Sequence, residues 1–335
     1  ALPSGVVSAV TTPLFTLGDK IRILGEPFRK PGNNPDETLA ELVRRRMGKS
    51  FLDYAVDPFI SGVYAGDPNI LIPRYALPKL YALEQNYGSF VKGAIKKARE
   101  PKTELQKRAT GEVFSAKGGL NNLITALYEK IGKNNFYFSI RNSSVKPVSS
   151  GFEVSFQSSD GKQLTLNSTT VITTFGGESI KHILPFVSND LLSPIVNVRY
   201  AAVVQAAAGY KTWTGKKLDA FGGLVPSKEK QDFLGILFPS AIFEGRAPEK
   251  GALLSVFLGG IKKPDTINKS DIEIKNIVLK AIRETLYSSD EPDLFKIFRY
   301  HHAIPQYEKS TGERLASISE IEKMYPGLII AGNIR

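Results

Sequence analysis

The reading turns on Gly327-Leu328-Ile329-Ile330-Ala331-Gly332-Asn333. Three large aliphatic residues in a row predict a fully buried strand, and the small residues behind them predict a tight turn. A strand that runs into such a turn opens the ligand-facing loop of a doubly wound sheet, before a helix. Here no helix follows, because the chain reaches Arg335 two residues later. No G-x-G-x-x-G stands near the front either. A nucleotide-binding domain is therefore expected through its middle and its last strand.

Working back from that strand, residues 110–190 supply the middle. Lys117-Gly118-Gly119-Leu120 opens a helix with Leu120, Leu123, Leu127 and Ile131 at helical spacing. A double glycine at a helix start can admit an anion or a cofactor, though a plain turn is the commoner meaning. Short alternating strands follow at 135–141, Val145 to Val148, 152–157 and, after the Asp160-Gly161 turn, 163–167. Thr170 to Thr174 reads as a buried strand, then Gly176-Gly177 and a helix near 178–186. Strands at 197–209, 218–225, 233–238 and 252–259 predict a sheet of at least four strands. Helix 271–287 carries a capping box, Ser270 with Glu273, and buries Ile274, Ile277, Val278, Ala281, Ile282 and Leu286. A strand at 294–304 leads to Ile304-Pro305-Gln306-Tyr307.

The first 110 residues read as helices. One starts with Asn34 as N-cap and Pro35 at the first position, has Leu39, Leu42, Val43 and Met47 as its apolar face, and ends at Gly48. Arg44, Arg45 and Arg46 near its end read as a solvated face. A helical run at 51–60 enters Phe59-Ile60-Ser61-Gly62-Val63-Tyr64-Ala65-Gly66-Asp67, where two glycines bring backbone close to something bulky or simply turn the chain. Residues 76–98 read as one further helix with a basic end; seven Lys/Arg fall between 92 and 108. Its pattern fits a membrane surface or a solvated basic face equally.

Composition narrows the classes. A length of 335 residues predicts two or three lobes, and a net charge of +11 favours acidic partners. Nucleic acid is the weakest of these, for no nucleic-acid-binding signature occurs. With no cysteine, disulfides and thiolate chemistry are excluded. Two of the three histidines, His301 and His302, are adjacent and point apart on a strand, which disfavours a metal site. No run of 18 apolar residues predicts a membrane span. Ala1-Leu2-Pro3-Ser4-Gly5 resembles neither a signal peptide nor a natural start, so the chain reads as a fragment.

Six separated motifs carry a family resemblance. They are Pro35-Asp36-Glu37-Thr38 with the Arg-Arg-Arg-Met-Gly after it, Ser61 to Asp67, Leu83-Glu84-Gln85, Phe221-Gly222-Gly223-Leu224-Val225-Pro226-Ser227, Phe257-Leu258-Gly259-Gly260, and Ala303 to Tyr307. Together they resemble the protoporphyrinogen oxidases, in that family's order along almost the whole chain. The resemblance implies an amine-oxidase-like flavoprotein. The fold class becomes α+β / α/β: a helical subdomain, a mixed-sheet substrate domain and an incomplete FAD-binding, Rossmann-like domain. It divides the chain into a helical, membrane-contacting subdomain (1–110), the middle of the FAD domain (111–190), the substrate domain (191–322) and the last FAD-domain strand (323–335). It further implies six-electron oxidation of protoporphyrinogen IX in haem synthesis, with O2 as acceptor and H2O2 as by-product. No side chain is assigned a catalytic role, and no metal is implied.

Site residues follow from the resemblance. The Gly62 backbone would face the tetrapyrrole, and Phe221 and Leu224 would sandwich a pyrrole ring. Gly222, beside them, leaves space. Leu237 and Phe257 would line the same cavity. Val145 and Ala331-Gly332-Asn333 would touch FAD. Core packing is the alternative for each, and the stronger one for Leu237 taken alone. In departure from some relatives, position 61 is serine rather than arginine. The dinucleotide fingerprint, the acidic ribose ligand and the flavin loop after Gly332 are not in the chain, so stable FAD retention by it is not expected. A coproporphyrinogen III oxidase of the same family, another amine-oxidase-like flavoenzyme and a basic membrane-surface module remain alternatives. Membrane contact would run through 1–30 and 71–98. A homodimer and a cytoplasmic location, free or on the cytoplasmic membrane face, complete the expectations.

Overall fold

The computed structural model describes residues 11–101 and 103–335. The first ten residues of the 1–30 segment expected at a membrane lie outside that range. In chain order the strands are β1 (Arg141–Val148), β2 (Gly151–Gln157), β3 (Gln163–Ser168), β4 (Val171–Thr173), β5 (Tyr200–Tyr210), β6 (Gly222–Leu224), β7 (Gly235–Leu237), β8 (Ala252–Gly259), β9 (Leu294–Pro305) and β10 (Leu328–Ile330). The chain forms two compact units: 1–110 with 200–309, and 111–199 with 310–335.

In the first unit a five-stranded sheet runs β6-β7-β8-β5-β9. All its pairings are antiparallel, where the sequence reading expects a mixed sheet. Consecutive strands β6, β7 and β8 are neighbours, and the connections 225–234 and 238–251 reverse the chain between them. One face is covered by the helix Asp271–Leu286. Its Ile274, Val278, Ala281, Ile282 and Leu286 share a core with Val204, Ala206, Ala208, Ile236, Leu254, Val256 and Leu258. The Ser270–Glu273 capping box forms as expected. Ile277 of the expected buried face is only partly buried. Strands 218–225 and 233–238 shrink to three residues each, Gly222–Leu224 and Gly235–Leu237.

The helical part of this unit departs from the sequence reading in three places. The helix expected from Asn34 spans Leu39–Arg46, capped by Thr38 in a capping box with Glu41. Asn34 instead accepts the Asp36 N–H in a local turn, which removes it from the cap. The single helix expected over 76–98 is Pro73–Ala76, Pro78–Tyr87 and Phe90–Arg99. Pro78 restarts the chain, left-handed Gly88 ends the second segment, and Ser89 caps the third. The helix Leu17–Leu24, which no motif announced, leaves Leu17, Ile21 and Leu24 exposed.

The third departure concerns the arginines. Arg46 is fully buried and ion-paired with Glu26, and it donates to the Arg29, Lys30 and Gly88 carbonyls at 2.9, 3.3 and 2.9 Å. Arg45 bridges Glu37 and Glu84, both at 2.8 Å. Glu26 also accepts from Ser89 Oγ at 2.5 Å, Phe90 N at 2.9 Å and Val91 N at 3.1 Å. A buried carboxylate thus sits on the first amides of the helix Phe90–Arg99, where the dipole favours negative charge. The three arginines are not a solvated face; two hold the helices together.

In the second unit β1, β2 and β3 form an antiparallel sheet, and β10 pairs with β4 in parallel. The parallel pair joins the middle of the sequence to the stretch at 327–333, as a doubly wound sheet requires. Neither strand is enclosed on both faces: Leu328, Ile330 and Thr173 are buried, whereas Ile172 and Ile329 are exposed. Phe136 to Ile140, expected as the start of a strand, lies outside β1. Its rings pack locally instead, Phe136 stacking on Phe138 at 5.7 Å. The helix Asn121–Ile131 forms, with Leu123, Ile124, Leu127 and Ile131 exposed. Two helices without a sequence cue, Asn189–Val196 and Thr311–Met324, pack on each other. The sequence reading placed 311–322 with the substrate sheet, whereas this compact unit holds it.

Candidate functional site

The uncovered face of the five-stranded sheet collects most of the substrate residues expected from the sequence. Directly paired residues in antiparallel strands point to the same face. Gly222 pairs with Leu237 and Leu224 with Gly235; Gly235 pairs in turn with Phe257, and Leu237 with Ser255. Phe257 is opposite Gln205, and Gln205 opposite Phe298. Leu224, Leu237, Phe257 and Phe298 therefore share one face across four strands. Leu224, Leu237 and Phe298 keep about two-fifths of their surface exposed (40%, 38% and 43%), so the ledge is open and apolar. Within it, Gln205 donates to Ser255 Oγ at 2.7 Å. Phe221 stands just before β6. Its carbonyl accepts the Phe238 N–H at 2.9 Å and its ring is exposed, outside the register that aligns the others.

The helix Asp57–Val63 closes one side of the ledge. A Cβ on Gly62 would stand 2.4 Å from Leu224 Cδ2, so the glycine is what lets the helix meet the sheet. Phe257 packs against the buried Ala65, Ala201 and Val203 on the same side. The helix is anchored by Asp57, which accepts Ser227 N at 2.7 Å and Ser227 Oγ at 3.1 Å and pairs with Lys262. Leu224, Leu237, Phe257 and Phe298 carry no ionisable group, so together they can bind a flat apolar molecule by contact area.

The residues expected at a cofactor all belong to the second unit, in two different sheets. Val145 is buried within β1. Ala331-Gly332-Asn333 follow β10, with Ala331 N donating to Thr173 O at 2.8 Å and Gly332 left-handed at φ 99°. Thr173 Oγ1, at the end of β4, is buried with no hydrogen-bond partner among the described residues. An orphaned hydroxyl beside a glycine turn, at the carboxyl ends of two parallel strands, fits a hydrogen-bonding cofactor there. The sequence reading missed Thr173, whose only cue was its place at the end of a strand before Gly176-Gly177.

Glu322 holds this turn in place. It accepts Ile330 N at 2.9 Å and both Arg335 amino groups, at 2.6 and 3.0 Å. The Arg335 guanidinium, with the Ile330 N–H, keeps its carboxyl below the ordinary value of 4.5 against the opposing effect of burial. A lowered folded pKa means stability present above the ordinary value and lost as pH falls through the lowered one. Glu322→Gln is expected to cost this unit about 1 kcal/mol at neutral pH, the upper range for a partly exposed pair. It is also expected to flatten the loss of stability in acid. Thermal melts of both proteins from neutral pH into the acid range check this, and parallel curves would show that Glu322 is not the group responsible.

A second cavity borders the helix, of about 270 Å³, lined among others by Ser61, Val225, Lys230, Phe233, Lys262 and Lys263. Sequence reading noted Ser61 only as a departure and gave the lysines no role, because Ser61 lies on a helix, Lys230 on one loop and Lys262 and Lys263 on another.

The family described as flavin containing amine oxidoreductase matches residues 1–335. The mitochondrial protoporphyrinogen oxidase of Nicotiana tabacum is 28% identical over 365 residues, covering 100% of this chain and 72% of the relative. The coproporphyrinogen III oxidase of Bacillus subtilis is 26% identical over 339 residues, covering 99% and 70%. A crystal structure from Exiguobacterium sp. 255-15 superposes with a TM-score of 0.77 at 19% identity, over 99% of this chain and 72% of that one. A full-length family match, an open apolar sheet face and a parallel strand pair ending in a glycine turn agree, and the chain belongs to the flavin-containing amine oxidoreductases.

Proposed function

We propose that the protein is an FAD-dependent porphyrinogen oxidase that converts protoporphyrinogen IX to protoporphyrin IX, a six-electron oxidation in haem synthesis with O2 as acceptor. The observation that carries this reading is the shared face of Leu224, Leu237 and Phe257, with Gly62 against Leu224. A tetrapyrrole is flat, apolar over its faces and charged only at its carboxylate arms, and so is bound chiefly by area. Gly62, Gly222, Leu224, Leu237 and Phe257 bind and orient it on that face, and Phe221, exposed just before β6, flanks it from outside the shared register. Val145 and Ala331-Gly332-Asn333 hold FAD, with the Thr173 hydroxyl available to it. FAD, when bound, supplies the two-electron acceptor. The apolar side chains exclude water from the reacting carbon, and no side-chain base is required of this chain.

The relative from Bacillus subtilis and the net charge of +11 favour a second reading, coproporphyrinogen III as substrate, which carries four propionates rather than two. Both porphyrinogens should be offered anaerobically and in air to flavin-loaded protein, with porphyrin fluorescence as readout. Preferential oxidation of protoporphyrinogen IX supports the first reading. Oxidation of coproporphyrinogen III alone replaces it with the second, and no oxidation of either by flavin-loaded protein rejects both.

A further inference from the structure

We propose that the cavity beside Ser61 is a binding site for a carboxylate carried on an apolar stem. Two independent observations point to a ligand. The first is Ser61: it is only 3% exposed, it lines the cavity, and its Oγ has no hydrogen-bond partner among the described residues. A buried hydroxyl left unpaired costs free energy, so it marks a place where a partner belongs.

The second is the charge balance of the wall. Lys230, Lys262 and Lys263 line the cavity. Lys262 is paired with Asp57 and donates to Ser227 Oγ at 2.8 Å. Asp67 stands 4.0 Å from the same ammonium. Lys263 is paired with Asp232 at 2.6 Å and donates to the Gln231 carbonyl at 2.8 Å. Lys230 has no carboxylate partner among the described residues, and its backbone is held left-handed at φ 53°. Among the described residues the wall thus carries one positive charge without a carboxylate partner and one unpaired hydroxyl donor. An anion satisfies both, since a hydroxyl and an ammonium can each donate to a carboxylate oxygen.

The remaining wall decides the rest of the ligand. Val225, Phe233 and Leu234 are apolar, and Phe233 is buried. A bare inorganic anion would leave these side chains against water, whereas a short hydrocarbon stem covers them. The size suits a small acid or one arm of a larger molecule. Ser61 adjoins Gly62 in the chain, so an arm of a tetrapyrrole seated on the ledge is one source. A separate small acid is the other. The site itself does not depend on the proposed reaction, because it is read from binding alone.

The test is calorimetric titration of the whole protein with 3-phenylpropionate, 3-phenylpropanamide and inorganic phosphate. Saturable binding of the acid is expected, about tenfold tighter than the uncharged amide, which lacks the charge-assisted hydrogen bonds. Ser61→Ala and Lys230→Gln are each expected to weaken the acid about fivefold, the size of one hydrogen bond or exposed charge pair. Far-ultraviolet melts confirm that both variants fold. Absence of saturable binding overturns the proposal. So does equal binding of acid and amide, or affinity unchanged in both variants, or tighter binding of phosphate than of the acid. With the proposal standing, displacement of bound 3-phenylpropionate by protoporphyrin assigns the cavity to a tetrapyrrole arm. Simultaneous binding of the two assigns it to a separate acid, even if the porphyrinogen assay succeeds.

Discussion

Replacing Arg46 with methionine is expected to destabilise the unit built on residues 1–110 and 200–309 by about 3–5 kcal/mol, the usual cost of removing one partner of a buried ion pair. The side chain is fully enclosed, and methionine restores much of the volume without the charge. What remains is Glu26, also enclosed, as an uncompensated carboxylate. Burial opposes its charge. The Ser89 hydroxyl, the Phe90 and Val91 amides and Arg46 outweigh burial together and keep its pKa below the ordinary value. Three of those four donors survive the substitution, but the guanidinium's bonds to the Glu26, Arg29, Lys30 and Gly88 carbonyls are lost, and of these the Lys30 carbonyl keeps a second donor, from Arg45. Urea denaturation followed by tryptophan emission and far-ultraviolet dichroism measures the change. A loss below about 1 kcal/mol would mean that water reaches Glu26 and that the pair behaves as a surface bridge. Glu26→Gln in the same chain should recover part of the loss, because a neutral amide can still accept from the helix amides.

That network also shows where sequence reading stops. Arg44, Arg45 and Arg46 sit in a helix whose last turn favours cations, so the local argument was sound and incomplete. The partners of the last two, Glu26 and Glu84, come from elsewhere in the chain, and no periodicity announces them. The Ser270–Glu273 box was legible because all its atoms lie within one turn. The helix over 76–98 failed for a related reason. Its apolar spacing continues through Pro78 and Gly88, yet each residue breaks the backbone by its own φ preference, and local sterics won over pattern. At the site, spacing alone offered little. Gly62, Leu224, Leu237 and Phe257 are read together only through the family motifs, and the strand register that unites Leu224, Leu237 and Phe257 is tertiary information. Ser61 and Thr173 were invisible for the opposite reason: an unpaired hydroxyl can be recognised only once everything around it is placed.

The ledge yields the largest expected effect on turnover. In flavin-loaded protein, Gly62→Leu is expected to lower kcat/KM for protoporphyrinogen IX about 100-fold, the order of loss seen when a bound substrate is displaced by about 1 Å. The physical cause is local. The new Cβ would fall 2.4 Å from Leu224 Cδ2, and the rest of the leucine must then displace Leu224 or occupy the hollow beside it. Leu224 faces the same side as Leu237 and Phe257, so moving it reshapes the surface on which the macrocycle lies. The Leu224 contact is the far end of a flexible side chain rather than backbone, so the fold should survive with a small loss of stability. Flavin content should not change, because the residues proposed for FAD lie outside this sheet. The decisive comparison is the double variant Gly62→Leu with Leu224→Ala. Removing the obstructing methyl groups should recover about tenfold of the activity lost, a coupling expected only for residues in contact. If flavin content falls with activity, or if the double variant is no better than Gly62→Leu, Gly62 serves the packing of its helix and the ledge is not the substrate's seat.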